Sequence, residues 1–374
     1  MGSNTKLWNV TIDDVCSHET ALAARHVCFK NQRSSRGKEF YKDDVNLFAL
    51  ADSLRSGDLE HQGVRTFVHV DKYSGKSRNI NVPSVRDKLI MHMLIVSMKP
   101  YMIGFYETVG TGENAKVIHH DGYLIRHTIA SIEKRGIEFG RKCLKHWARI
   151  GGSSVKYVVK WDLKKYYDSV DIIAFIRWLK RRIKDKRVIQ LWWVFLYRRR
   201  VGLVIGSPLS QWAANMIFGP IGHWITENPK TSHHLQYMDD GVAFFASKRK
   251  AEKFALELKE QCALHGLTIK HDGSGALRVW RWKDAPIDML GYKTYRSGFQ
   301  ELRGGIYLSI IRQLGRIETK GRPSRRQARS VLSRKGLVQH SNCGRLYSRI
   351  LTDIRRYNIK EIANENHHAN LSAL

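Results

Sequence analysis

The stretch Gln236-Tyr237-Met238-Asp239-Asp240-Gly241, within "HHLQYMDDGVAFFAS", sets two adjacent carboxylates in a short gap between apolar, strand-like runs. Adjacent like charges repel, and a tight turn has no need of both. A further carboxylate, Asp162, closes the β-rich run "VKYVVKWD". Pairing these runs in one sheet brings Asp162 to Asp239. Clustered carboxylates cannot all stay ionised without a cation. Mg²⁺ fits, because it takes hard oxygen ligands and keeps positions open for phosphates. Two such ions, about 3.5–4 Å apart, clamp the attacking and leaving oxygens of an in-line phosphoryl transfer. The backbone carbonyl of Leu163 is a candidate additional ligand. An Asp-Asp-Gly turn alone is common; Asp162 on a matching strand sets this one apart.

Working outward, "RTFVHVDKYSGKSRNINV" reads as a hairpin, with turn chemistry at Tyr73-Ser74-Gly75-Lys76. "DIIAFIRWLKRRIKDKRVIQLWWVFLYRRR" reads as helical, its aromatic residues mainly core. "SPLSQWAANMIFGPIGHWI" is a predicted helix opening at Ser207-Pro208. In "SKRKAEKFALELKEQCALHG", Ala251, Ala255, Leu258 and Cys262 share a helical face between Ser247 and Gly266. "LTIKHD" and "IDMLGYKTY" are further predicted strands. The order strand, helix, hairpin, helix, strand is a split βαβ pattern, an antiparallel sheet backed by helices, and the class is α+β. Residues 1–65 form a helical N-terminal region, 66–295 the catalytic part, and 296–374 a basic helical part.

The 374 residues carry 64 Lys and Arg against 34 Asp and Glu, a formal charge of +30. Self-repulsion of that size calls for a polyanionic partner, nucleic acid before anionic membrane. No apolar run is long enough to span a bilayer. The five scattered cysteines form no C-x-x-C and suit free thiols in a reducing cytoplasm.

Four segments, in order, resemble a reverse transcriptase. "RTFVHVDKYSGKSRNINVPSVRDKLIMHML" is similar to the fingers block that holds the triphosphate, "YVVKWDLKKYYDSVD" to the first catalytic block, "QYMDDGVAFF" to the Y-x-D-D box, and "DMLGYKTY" to the primer grip. The resemblance implies a right-hand polymerase with fingers, palm and thumb, using dNTPs and two Mg²⁺ ions, with Mn²⁺ as the alternative. It makes Asp162, Asp239 and Asp240 the catalytic carboxylates. Lys76 and Arg78 become the positive pair on the triphosphate. Tyr167 becomes the steric gate against a ribose hydroxyl, with Tyr166 the competing choice. Lys270, beside His271, is the proton donor to pyrophosphate, and Leu290, Gly291 and Tyr292 are the primer grip. In the basic thumb, Arg322, Arg325, Arg326, Arg329, Arg334 and Lys335 are candidate phosphate contacts along an RNA/cDNA duplex.

"GLVIGSPLSQWAANM" discriminates among subclasses. Many bacterial and intron enzymes have Q-G-x-x-x-S-P here. This chain has Ile205 for the Gln and Gln211, a candidate dNTP contact, for the Pro. That form resembles the reverse transcriptases of diversity-generating retroelements, which copy a template RNA into cDNA with errors at adenines. Ile205 is then the fidelity residue, because it cannot supply the hydrogen bond a Gln would give near the template. "SVLSRKGLVQHSNCGRLYSRI" is similar to the thumb of that group. The resemblance further implies a structured template RNA and a small basic oligomeric accessory protein. A retron-like or antiviral-defence reverse transcriptase is the rival, and a non-catalytic RNA-binding protein the rival of another class. His119, His120 and His127 lack metal-ligand spacing, as do His340 and Cys343. "GTGEN" is no P-loop and fits a fingers turn near the template.

Overall fold

The computed structural model describes residues 7–32, 34–58, 61–70, 75, 77–109, 116–197, 200–229, 231–270 and 277–364. Lys76, His271 and the whole of "GTGEN" therefore lie outside the described residues. The fold is α+β, helices with small antiparallel sheets, as the sequence predicts. Contacts divide the chain into two units. The first comprises Met1–Gly136, Val159–Ala243 and Arg249–Val279; the second comprises Ile137–Val158, Phe244–Lys248 and Trp280–Leu374.

The chain opens with four helices, α1 (Ile12–Val15), α2 (His18–Asn31), α3 (Ser35–Lys42) and α4 (Asp44–Ser56). Thr11, Ser17, Ser34 and Asp43 cap them, each side chain accepting from backbone N–H groups of the first turn. The hairpin follows, β1 (Val64–Val70) antiparallel to β2 (Ser77–Pro83), with Arg78 opposite His69. Helix α5 (Val85–Ile103) buries Leu89, Met93, Leu94 and Met98 and leads to a second hairpin, β3 (Phe105–Val109) and β4 (Lys116–His120).

After α6 (Ile137–Ile150), strand β5 (Tyr157–Asp162) is followed by α7 (Tyr166–Ser169), α8 (Ile172–Lys180), α9 (Lys186–Leu196) and α10 (Pro208–Glu227). The long helix expected over 171–200 is two, because Asp185 takes the N-cap of α9 and accepts from Arg187 N at 2.8 Å. Pro208 opens α10, where its missing N–H costs nothing. Ser207 does not cap with its side chain; its hydroxyl faces the Met91 sulfur at 3.6 Å. Strands β6 (His233–Tyr237) and β7 (Asp240–Phe245) precede α11 (Lys248–Leu264), which buries Ala251, Ala255, Leu258 and Cys262 as its periodicity requires. "LTIKHD" is not the expected strand over its described part; Ile269 makes only an isolated bridge to Leu163. With β8 (Arg278–Arg281), the central sheet has the order β6-β7-β5-β8.

The chain continues through β9 (Ile287–Met289), β10 (Tyr292–Thr294) and β11 (Gln300–Leu302), a three-stranded antiparallel sheet. Four helices follow, α12 (Gly304–Lys320), α13 (Arg325–Gln339), α14 (Gly344–Arg356) and α15 (Ile359–Asn364). Ile310, Leu314, Ile317, Val331, Val338 and Ile350 form their core. Pro323 falls between helices, since α12 ends on the left-handed Gly321 and a Ser324–Gln327 capping box starts α13. Among the described residues no helix is long and apolar enough to cross a membrane, and all five cysteines are free thiols.

Candidate active site

Strand β5 buries Val159 and Trp161 on one face, while its other face runs from buried Val158 to half-buried Lys160 and Asp162. The neighbouring β6–β7 connection turns tightly at Met238-Asp239, with Met238 in the left-handed region at φ 54°. The turn is therefore shorter than the four residues Met238–Gly241 expected, and Asp240 already belongs to β7. Gly241 lies against the buried Trp161, and a Cβ there would overlap the indole. That close approach explains the glycine after the acid pair.

Backbone bonds tie the acidic strand ends together. Leu163 N donates to Asp239 O at 2.9 Å, and Lys270 N donates to Asp162 O at 2.9 Å. Burial raises the Asp239 carboxyl above the ordinary aspartate range; the charge of Asp162 adds to the rise, while Arg78 and Lys160 oppose it. Thus Asp162 and Arg78 both lie within electrostatic reach of Asp239. Asp240 behaves differently from its neighbour. Its carboxylate accepts from Lys160 Nζ at 2.6 Å, and both side chains are 23% exposed. Burial pushes it up to about 6, although Lys160 pulls the other way.

Among the described residues, no three His, Cys, Asp or Glu side chains converge as a ready metal site. Asp240 turned onto Lys160 accords with that. The residues nonetheless fit a divalent cation: two hard carboxylates on tied strand ends, with Asp239 destabilised by burial and by Asp162.

The aromatic pair after Asp162 is divided by α7. Tyr166 is core, 3% exposed, and its hydroxyl donates to Ala214 O of α10 at 2.5 Å. Tyr167 faces the carboxylates; its hydroxyl lies 4.0 Å from the Met238 sulfur, and burial together with Asp239 raises its phenol. The Ile205 segment docks on β2: Asn81 N donates to Ile205 O at 2.7 Å, beside an Ile80–Ile205 bridge. Gly206, at φ 107°, follows where any Cβ would overlap the Asn81 carbonyl. Gln211 is exposed on the first turn of α10.

In the second unit, Leu290 and Gly291 form the β9–β10 turn, both at positive φ. Tyr292 is buried, and its hydroxyl donates to Leu337 O at 2.9 Å, so of the three expected grip residues it is the one absorbed in the helical core. Not every expected thumb contact points outward. Arg334, half-buried, donates to Ser309 O at 3.1 Å inside the bundle, whereas Arg329 stays exposed while its Nε–H donates to Ala363 O at 3.0 Å. Arg322 and Arg326 are exposed, while Arg325 and Lys335 are half-buried. Lys160 escaped the sequence reading. Its signal was present: a lysine two residues before Asp162 shares that carboxylate's face of β5.

A pH dependence follows from Asp240. Its folded-state value lies above the ordinary value of 3.8, so between about pH 4 and 6 the folded chain holds a proton that the unfolded chain has lost. In chelator, stability is therefore expected to fall by on the order of 2 kcal/mol as pH rises through that window, with Asp239 contributing in the same direction. Asp240→Asn should shrink the slope in denaturant melts at pH 4–7; an unchanged slope would refute the assignment.

Residues 70–294 match the family described as reverse transcriptase (RNA-dependent DNA polymerase). Protein YkfC of Escherichia coli (strain K12) is 27% identical over 194 residues, covering 49% of this chain and 46% of that protein. The group II intron-encoded protein LtrA of Lactococcus lactis subsp. cremoris is 25% identical over 180 residues, 46% of this chain and 26% of LtrA. Among solved structures, apo telomerase from Candida tropicalis is similar at a TM-score of 0.48 and 10% identity, over 81% of this chain and 59% of that one. The alignments thus span less than half the length of YkfC and LtrA.

Proposed function

Because this chain belongs to the reverse transcriptase (RNA-dependent DNA polymerase) family, we propose that it copies a structured template RNA into error-prone, adenine-mutagenised cDNA for a diversity-generating retroelement. The observation that carries the polymerase reading is the tie between strand ends bearing Asp162 and Asp239, with Arg78 and Tyr167 in electrostatic reach of Asp239. Ile205 and Gln211, in place of Gln and Pro, support the subclass.

On this reading, Asp162 and Asp239, with the Leu163 carbonyl, hold the divalent cations. When bound, a pair of Mg²⁺ or Mn²⁺ ions supplies activation of the primer 3′-hydroxyl and charge neutralisation at the triphosphate. Asp240, fastened to Lys160, keeps the strand end in register and adds negative charge behind the pair. Arg78, with Lys76, receives the triphosphate; Arg both stacks and binds phosphate. Tyr167 lies under the sugar, and Gln211 lines the nucleotide site. Lys270, whose backbone is bonded to Asp162, protonates the leaving pyrophosphate. Leu290 and Gly291 grip the primer, and Arg322, Arg325, Arg326 and Lys335 follow the duplex phosphates. A small basic oligomeric accessory protein completes the assembly.

The experiment is primer extension on a cognate RNA with Mg²⁺, dNTPs and partner, followed by product sequencing. Wild-type errors should concentrate at template adenines. Ile205→Gln should reduce them by up to about tenfold, the worth of one hydrogen bond near 1.4 kcal/mol. Accurate copying of adenine by both proteins would leave a reverse transcriptase and sink the diversity-generating assignment.

A further inference from the structure

The segment Arg177–Arg187 carries seven Lys or Arg and one acid, Asp185. That acid offsets one neighbour, Arg187, across a 3.5 Å ion pair. One carboxylate oxygen accepts from Ile12 N at 2.8 Å and the other from Arg187 N at 2.8 Å. The connection between α8 and α9 is also held in place. Trp8 N donates to Arg182 O at 2.7 Å, Ile183 N donates to Leu179 O at 2.9 Å, and the Arg182 guanidinium lies 4.0 Å over the Trp178 ring. Lys180, Arg181, Lys184, Lys186 and Arg187 are left exposed on this fixed connection and the start of α9.

Helix α9 then presents Lys186, Gln190 and Trp193 at helical spacing, and its half-buried C-cap Tyr197 follows. Trp192 is core, with 0% exposure, whereas its neighbour Trp193 is 37% exposed. The Trp193 and Tyr197 rings stack at 4.1 Å and 12°. An exposed, oriented aromatic stack beside a rigid basic loop suits a polyanion with flat faces. Bases offer π-faces to aromatic side chains while their phosphates meet Lys and Arg. Acidic peptides offer only the charge.

We propose that the outer face of α8 and α9, from Lys180 to Tyr197, is a second RNA-binding surface, built from residues outside the carboxylate site. It takes an unpaired base of a folded RNA on Trp193 and the adjoining phosphates on Lys180, Arg181, Lys184 and Lys186. The surface anchors structured RNA independently of the duplex being extended.

The test uses the full chain, an excess of unlabelled primer–template, and a fluorescent RNA hairpin with an unpaired loop and a blocked 3′ end. Wild type should still bind the hairpin, read by anisotropy. Trp193→Ala should weaken that binding about tenfold. Lys184→Glu with Lys186→Glu, on exposed positions that packing does not need, should lower the salt slope of binding by about two. Extension of a short linear primer–template should be unchanged in both variants. Complete displacement of the hairpin by primer–template, or equal hairpin binding in all three proteins, would overturn the proposal. So would a charge variant that keeps the hairpin but loses a polyglutamate peptide or phosphatidylserine vesicles. The hairpin reading stands apart from polymerisation, so a chain inactive in extension still decides it.

Discussion

Asp239→Asn is expected to lower primer extension on the order of 1,000-fold or more while leaving the chain folded and at least as stable. The two halves of this expectation share one cause. Asp239 is held in a half-buried turn beside Asp162, and burial and repulsion both raise its carboxyl. A neutral amide of the same shape is relieved of that penalty, so the melting temperature in chelator should hold or rise. The same change removes the charge that a divalent cation requires, so the rise in melting temperature on adding Mg²⁺ should shrink. Wild-type extension by the variant would refute the carboxylate assignment. A collapse of stability would instead mean that Asp239 is needed for the turn itself.

The second large effect concerns sugar choice. Tyr167→Val should raise ribonucleotide incorporation relative to deoxynucleotide by about 10- to 100-fold, the discrimination one steric contact can supply. Tyr166→Phe is the paired control. It loses the bond to Ala214 O and about 1 kcal/mol of stability, with sugar selection intact. Single-nucleotide incorporation kinetics with matched rNTP and dNTP decide between the rings. Unchanged selection in Tyr167→Val would move the gate to Tyr166 or elsewhere.

The juxtaposition of Asp162 with the Asp239 turn was legible because both lie at ends of runs with strong β preference, and chain ends of neighbouring strands meet. The difference between Asp239 and Asp240 was not legible. It depends on the turn closing at Met238-Asp239 rather than over four residues, and a one-residue change sends a strand side chain to the other face. The Tyr166/Tyr167 ambiguity had a similar origin: adjacent residues on α7 point about 100° apart, and only packing against α10 selects the inner one. Arg329 and Arg334 were read as phosphate contacts from charge alone. On α13 the Arg329 Nε–H goes to the Ala363 carbonyl and one Arg334 N–H to the Ser309 carbonyl, bonds that charge alone does not foretell. At "LTIKHD" the backbone over 268–270 bonds Asp162, the last residue of β5, and Lys164 just beyond it, without extending the ladder.

The bond from Asn81 to Ile205 constrains how this chain can evolve. Arg78 and Asn81 sit three residues apart on β2, and the chain carrying Ile205 is fastened to the second of them. On the proposed roles, the grip on the triphosphate and the surface beside the template share one backbone beam. Any substitution that moves Ile205 then strains Arg78 as well, so accuracy and nucleotide affinity are inherited as a linked pair. A search for high-fidelity variants should accordingly recover compensating changes in β1 and β2, far from Ile205 in sequence.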